Sequence, residues 1–185
     1  MNKIISIRGT NGSGKSYLVR QLMNQYACKV LEKTEKDRPL SYYLPDLNLV
    51  IFGDYRDHLN APGVDAVKSS VAEILNYLLI QHTKSHVLFE GVIAATTYGR
   101  YAELSRSFGP GVFVWVFLTT PLEECLWRIY ARNGGKPIKE NLVENKLRMI
   151  STQPTKARAQ GDSVYEISSE WEAFAGVLGK EGILI

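Results

Sequence analysis

Apolar positions along this chain keep two rhythms, one of two residues and one of three to four. Residues 3–8 alternate and are rich in isoleucine, which predicts a short strand. Apolar runs at 47–52, 87–89 and 112–118 predict buried strands, and 164–167 predicts a last strand. Val30 and Leu31 suggest one further, brief strand. Helical spacing puts Tyr17, Leu18, Leu22 and Tyr26 on one side of a helix over 14–26. It does the same for Val67, Val71, Ile74, Leu75 and Leu78 over 64–82. Helices are also predicted at 97–108, 121–132, 140–151 and 171–178. The one at 121–132 is read with Thr120 as N-cap and Pro121 at its first position. The polar segment 32–45, interrupted by Pro39 and Pro45, reads as a mobile loop. Strands alternating with helices imply an α/β fold, a mostly parallel five-stranded sheet covered on both faces.

Composition supports one globular domain over 1–185, since 45% of residues are hydrophobic and 22% charged. The longest apolar runs are too short to cross a bilayer. The first residues run straight into a strand, without the basic, apolar and small-residue order of a secretion signal. A soluble, cytoplasmic protein without a membrane partner is therefore expected. Cys28 and Cys125 are far apart and read as two buried, reduced thiols. The three histidines are dispersed, so no protein-built metal cage is expected. A net charge of +3 accommodates a polyanion without requiring one.

Gly9-Thr10-Asn11-Gly12-Ser13-Gly14-Lys15-Ser16 satisfies G-x-x-x-x-G-K-[ST] at every fixed position, between a predicted strand and a predicted helix. Glycines let consecutive N–H groups close on phosphate oxygens, and the following helix adds the positive end of its dipole. In such a loop Lys15 reaches the β- and γ-phosphates and Ser16 ligates Mg²⁺, with the nucleotide lying over residues 9–17 and so against Tyr17. The expectation is a three-layer P-loop NTPase fold holding ATP and Mg²⁺.

Ligands of open parallel sheets bind beyond the carboxyl ends of the strands. Arg8, Asp54, Glu90 and Thr119 fall at such ends and are expected to converge on one rim. Transfer to a hydroxyl needs a base and a carboxylate toward the metal shell. Asp54 or Asp65 is the expected base, with Asp57 a weaker candidate, and Glu90 is expected beside the metal or acceptor. A regulatory GTPase needs N-K-x-D, and Asn145-Lys146-Leu147-Arg148 has arginine at the last position.

Arg128 and Arg132 are four residues apart on one helix face, ahead of Gly134-Gly135. This pair resembles the start of the lid in nucleoside monophosphate kinases. The resemblance implies a nucleotide-kinase-like fold with a small lid at about 128–160, Arg128 on the adenine side and Arg132 on the transferred phosphate.

Three further segments resemble a phage-associated group of P-loop kinases. They are Gly53-Asp54-Tyr55 with Gly63-Val64-Asp65, Phe89-Glu90-Gly91-Val92 with Thr97-Tyr98-Gly99-Arg100-Tyr101, and Leu118-Thr119-Thr120-Pro121-Leu122-Glu123-Glu124-Cys125. The group includes kinases of 5-hydroxymethyluracil within DNA, and the chain departs from it in lacking a second glycine before Asp65. The resemblance implies an ATP-dependent kinase whose acceptor is a hydroxymethyl oxygen on a DNA base, acting in the host cytoplasm if phage-encoded. A small-molecule nucleoside or nucleotide kinase is the alternative. Tyr98, Tyr101, Arg100 and Arg106, and the basic residues from Lys136 to Arg158, are the expected contacts to DNA; Tyr42 and Tyr43 are either acceptor contacts or ordinary packing.

Overall fold

In the computed structural model, which describes residues 1–56, 62–67 and 70–184, the five predicted apolar runs become one parallel layer. β1 (Ile4–Arg8) lies at its centre, flanked by β5 (His86–Glu90) and β6 (Phe113–Leu118). β4 (Leu49–Phe52) and β7 (Ser163–Ile167) pair parallel outside them. β2 (Lys29–Lys33) and β3 (Pro39–Leu44) extend the β4 side antiparallel, giving the order β2-β3-β4-β5-β1-β6-β7.

β3 corrects the mobile loop expected over 32–45. Pro39 opens the strand, a position where the missing N–H is tolerated. Ser41, Tyr42 and Leu44 are buried against β4. Tyr42 accepts a 3.4 Å bond from the Tyr55 amide, and Tyr43 donates to Asn48 Oδ1 at 3.1 Å. Tyr42 is thus packed in the core, while Tyr43 is only partly buried.

Helices cover both faces. α1 (Lys15–Gln25) and α9 (Trp171–Lys180) close one side, where Leu18, Leu22, Phe174 and Leu178 meet Ile5, Ile7, Val114 and Val116. On the other, α3 (Val71–His82), α5 (Tyr98–Phe108) and α8 (Gln153–Ala159) bury Ile74, Leu78, Tyr101 and Ala157 against Ile4, Phe89, Phe113 and Trp115. The expected helix over 64–82 is instead α2 (Val64–Val67) followed by α3, with residues 68 and 69 outside the described ones. A capping box starts α3: the Glu73 amide donates to Ser70 Oγ at 3.2 Å and the Ser70 amide to Glu73 Oε2 at 2.6 Å. α4 (Val92–Thr96) and α8 were not anticipated; α6 (Leu122–Arg132) and α7 (Glu140–Ser151) were. Pro121, not Thr120, occupies the N-cap of α6, because the Thr120 hydroxyl donates to the Ser13 carbonyl at 2.8 Å. Cys125 is buried as expected, whereas Cys28 is exposed. Among the described residues no helix is long and apolar enough to cross a membrane.

Arg8 is the largest departure from the expected rim. Alternation along β1 sends its side chain to the face of Ile4 and Ser6, under the helices. It is fully buried there, with its guanidinium carbon 4.6 Å from the Trp115 ring centroid and 5.4 Å from that of Tyr101. It donates to the Ala95 carbonyl at 2.9 Å and to Gln153 Oε1 at 2.7 Å, tying β1 to α4 and α8. Burial pulls the guanidinium down to about 9, opposed by Tyr101 and Tyr98. Truncating a large buried side chain removes about 2–5 kcal/mol. Each kcal/mol lowers the midpoint by about 2–4 °C in a chain of this size. Arg8→Ala is therefore expected to lower the melting temperature by roughly 4–20 °C, with Arg8→Met milder because it fills the space without the buried charge. A calorimetric midpoint within about 2 °C of wild type for Arg8→Ala contradicts this role.

Candidate active site

The turn after β1 is a cradle of backbone. Gly12 has φ 76°, and a Cβ there would stand 2.4 Å from the Cys125 carbonyl oxygen, so α6 rests on the loop through a contact only glycine permits. The Thr10 hydroxyl donates to the Val143 carbonyl at 3.1 Å, and Lys146 Nζ to Asn11 Oδ1 at 2.9 Å, seating α7 on the loop as well. Lys15 is buried and donates to the Gly9 and Thr10 carbonyls, each at 2.9 Å. Burial pulls its ammonium down, and the charges of Glu90 and then Asp65 oppose that most.

A cavity of about 490 Å³ opens over this loop. Residues 11–17 form its floor, with Tyr17 half exposed, and Glu90 and Asp65 stand on one wall. Arg128 and Arg132 of α6 and Lys146 of α7 form the other. Lys15, Arg20, Arg128, Arg132 and Lys146 give five cations against two carboxylates, a balance suited to a polyphosphate. Glu90 ends β5 and its Oε1 accepts a 2.7 Å bond from Ser16 Oγ. Burial pushes the Glu90 carboxyl up, while Lys15 and the Ser16 bond hold it down. Asp65 Oδ2 accepts from the Val92 amide at 2.6 Å, which fixes α4 against α2.

The two candidate bases are sorted by a backbone junction. Asp54 and Gly63 exchange amide bonds of 3.2 and 2.9 Å, and Gly63, at φ 89°, sits where a Cβ would come within 2.5 Å of Glu90 Oε1. This contact delivers Asp65 to the cavity. Asp54 is buried, does not line the cavity, and takes Arg56 Nη2 at 2.6 Å, both Arg56 Nε contacts at 3.1 Å and the Arg56 amide at 3.1 Å. Asp57 lies outside the described residues. Thr119 is exposed and donates to the Ile167 carbonyl at 3.1 Å, so of the four expected rim residues only Glu90 faces the cavity.

Arg128 donates to the Gly12 carbonyl at 3.4 Å and to Ser169 Oγ at 3.1 Å and pairs with Glu124, while Arg132 is exposed. Arg20, Ile93 and Thr96 line the cavity without having been singled out. Arg20 was legible as the residue one helical turn beyond Ser16; it donates to the Tyr55 and Arg56 carbonyls at 3.3 and 3.1 Å. Tyr101, expected on a DNA-facing rim, is fully buried, and the Tyr98 ring lies tilted against Trp115, 5.3 Å between centroids. Arg100 and Arg106 lie on α5, near Glu103 and Gln160.

The phosphate loop after the central strand, the acidic wall opposite it and the basic helix above define a P-loop kinase. A gluconokinase from Sinorhizobium meliloti 1021 shares the fold, with a TM-score of 0.50, 15% identity and coverage of 97% of this chain and 94% of that one. A family model described as 5-hmdU DNA kinase matches residues 1–166. A 5-hmdU DNA kinase of Pseudomonas phage M6 is 41% identical over 177 residues, 92% of each chain. The 5-hmdU DNA kinase 1 of Salmonella phage ViI is 34% identical over 149 residues, 76% of this chain and 64% of that one. The chain belongs to the 5-hmdU DNA kinase family and is a phosphotransferase that draws on a nucleotide donor.

Proposed function

We propose that this chain, acting as one kinase domain over 1–185, transfers the γ-phosphoryl group of ATP to the hydroxymethyl oxygen of 5-hydroxymethyluracil in DNA. The observation that carries the reading is one cavity that holds Lys15 and Ser16 on its floor and Asp65 and Glu90 on its wall. The acceptor follows from the family, whose named relatives are phage proteins; with them the enzyme belongs in the host cytoplasm.

Residues 9–17 hold the triphosphate, Lys15 spans the β- and γ-phosphates, and Arg128 lies on the adenine side. Mg²⁺ fits the donors present. Ser16 Oγ and Glu90 Oε1 are hard oxygens 2.7 Å apart beside the loop. Among the described residues no group of three or more His, Cys, Asp or Glu could cage an ion. One or two protein oxygens completed by phosphate and water is the usual magnesium arrangement. The ion supplies neutralisation of the phosphate charge when bound. Asp65 takes the proton of the acceptor hydroxyl as the hydroxyl oxygen bonds the γ-phosphorus and the bond from that phosphorus to the ADP oxygen breaks. Arg132 neutralises the moving phosphoryl group. Within the lid assigned to 128–160, movement would centre on the exposed turn at Gly134 and Gly135, since Val143 and Lys146 hold α7 to the loop.

The test is transfer of labelled γ-phosphate from ATP to DNA containing 5-hydroxymethyluracil, to unmodified DNA, and to the free hydroxymethylated nucleoside and its monophosphate. Label on the modified DNA alone is expected. Label on the free nucleoside or monophosphate instead makes the chain a metabolite kinase.

A further inference from the structure

A base stacked in a duplex cannot reach the floor of the phosphate cavity, so an enzyme acting on it must extrude it into a pocket. The first cavity sets five cations over the phosphate loop and is taken by the nucleotide in the reading above. A second cavity of about 250 Å³ adjoins it, and the two share Asp65 and Ile93. Val64, Val71, Ile74 and Ala94 make the rest of its wall apolar, except for Tyr101. Pockets for drug-sized ligands run to about 300–1,000 Å³, so this one is sized for a single planar ring.

Tyr101 supplies the second observation. Its side chain is 0% exposed, and its hydroxyl finds no hydrogen-bond partner among the described residues. A buried hydroxyl left unpaired is costly, and such a group in a folded protein calls for a partner. Burial pushes this hydroxyl up to about 12, with Arg8 opposing and Asp65 adding to the rise. It therefore stays a donor at neutral pH, in the electrostatic reach of the proposed base. Phe89 stacks on the Tyr101 ring at 5.4 Å and Arg8 lies on it at 5.4 Å, so the ring is fixed.

Resting on the reading above, we propose that this second cavity receives the extruded pyrimidine. The ring lies between Val64, Val71, Ile74 and Ile93, a base carbonyl accepts from the Tyr101 hydroxyl, and the hydroxymethyl arm passes Asp65 into the phosphate cavity. Ile93 is 62% exposed and lines both spaces, so the base enters past it. The shared position of Asp65 then has a simple cause: one carboxylate closes the acceptor pocket and takes the proton at its outlet.

Val71→Trp fills the slot from the first turn of α3, and Val71→Ala disturbs the same packing while leaving the slot open. Transfer to modified DNA is expected to fall by about 10²-fold or more in Val71→Trp, the scale of a misplaced reacting group. In Val71→Ala, which removes part of the wall without filling the slot, it should fall by about 3- to 20-fold, well short of Val71→Trp. Nucleotide binding, measured on each variant, reports folding. Tyr101→Phe, which keeps the ring, should raise KM for modified DNA about 3- to 10-fold, the scale of one buried hydrogen bond. It decides the matter if Val71→Trp does not fold. Wild-type transfer to modified DNA that Val71→Trp matches overturns the pocket and leaves the DNA kinase reading standing, as does an unchanged KM in Tyr101→Phe. Absence of wild-type transfer to modified DNA overturns both.

Discussion

Lys15→Ala is expected to abolish measurable phosphoryl transfer. Lys15 is the only ammonium buried beneath the cavity floor, among the described residues, and it is already desolvated. Its two loop carbonyl contacts, each 2.9 Å, hold it in the curve that the phosphates would fill. A preorganised cation in such a place acts on charge as it develops, and losing one fixed donor of this kind lowers kcat by about 10²–10³-fold. The loss here is larger because nucleotide binding weakens too. Lys15→Arg does not rescue, since a planar fork cannot occupy the site of a compact ammonium. The substitution also acts on Glu90, whose carboxyl is raised by burial and held down chiefly by Lys15. Without Lys15 the carboxyl rises further and stays protonated to higher pH. Any residual transfer should therefore increase as pH rises through that range, as Glu90 regains its charge. Steady-state rates of Lys15→Ala across pH check this; a kcat within tenfold of wild type, or residual activity that falls with pH, contradicts it.

How much of this was open to reading depends on how local each cause is. β6 and the phosphate loop declare themselves in consecutive residues, because a strand buried on both faces must be apolar throughout and a phosphate cradle must carry its glycines in order. The family resemblance rested on such short segments and holds. β3 was hidden because its burial comes from antiparallel pairing with β4, a contact that a polar approach and two prolines disguise. Ser70 and Glu73 spelled a capping box in the sequence, and reading it would have divided 64–82 correctly. Arg8 was misplaced for want of parity: at the end of β1 it alternates with Ile7 and so leaves the rim. Lys146 shows the limit. On α7 it is one basic residue among several, and only the seating of Val143 on Thr10 brings it to Asn11.

The same junction that separates Asp54 from Asp65 sets the second large effect. Asp65→Asn is expected to lower kcat by about 10²–10⁴-fold, the contribution of general base catalysis. Nucleotide binding should stay near wild type. The amide oxygen of asparagine can still accept the Val92 N–H, now 2.6 Å from Asp65 Oδ2, so α4 keeps its seat. What asparagine cannot do is take a proton. Asp54→Asn meets different surroundings: its carboxylate is occupied by the Arg56 guanidinium, and the change loosens the loop beyond β4. That variant should lose stability and raise KM, with kcat reduced far less. Rapid-quench measurement of the chemical step on bound modified DNA separates the two. A collapse of that step in Asp54→Asn, with Asp65→Asn within about threefold of wild type, would move the base to Asp54 and require the Arg56 pair to open during each turnover.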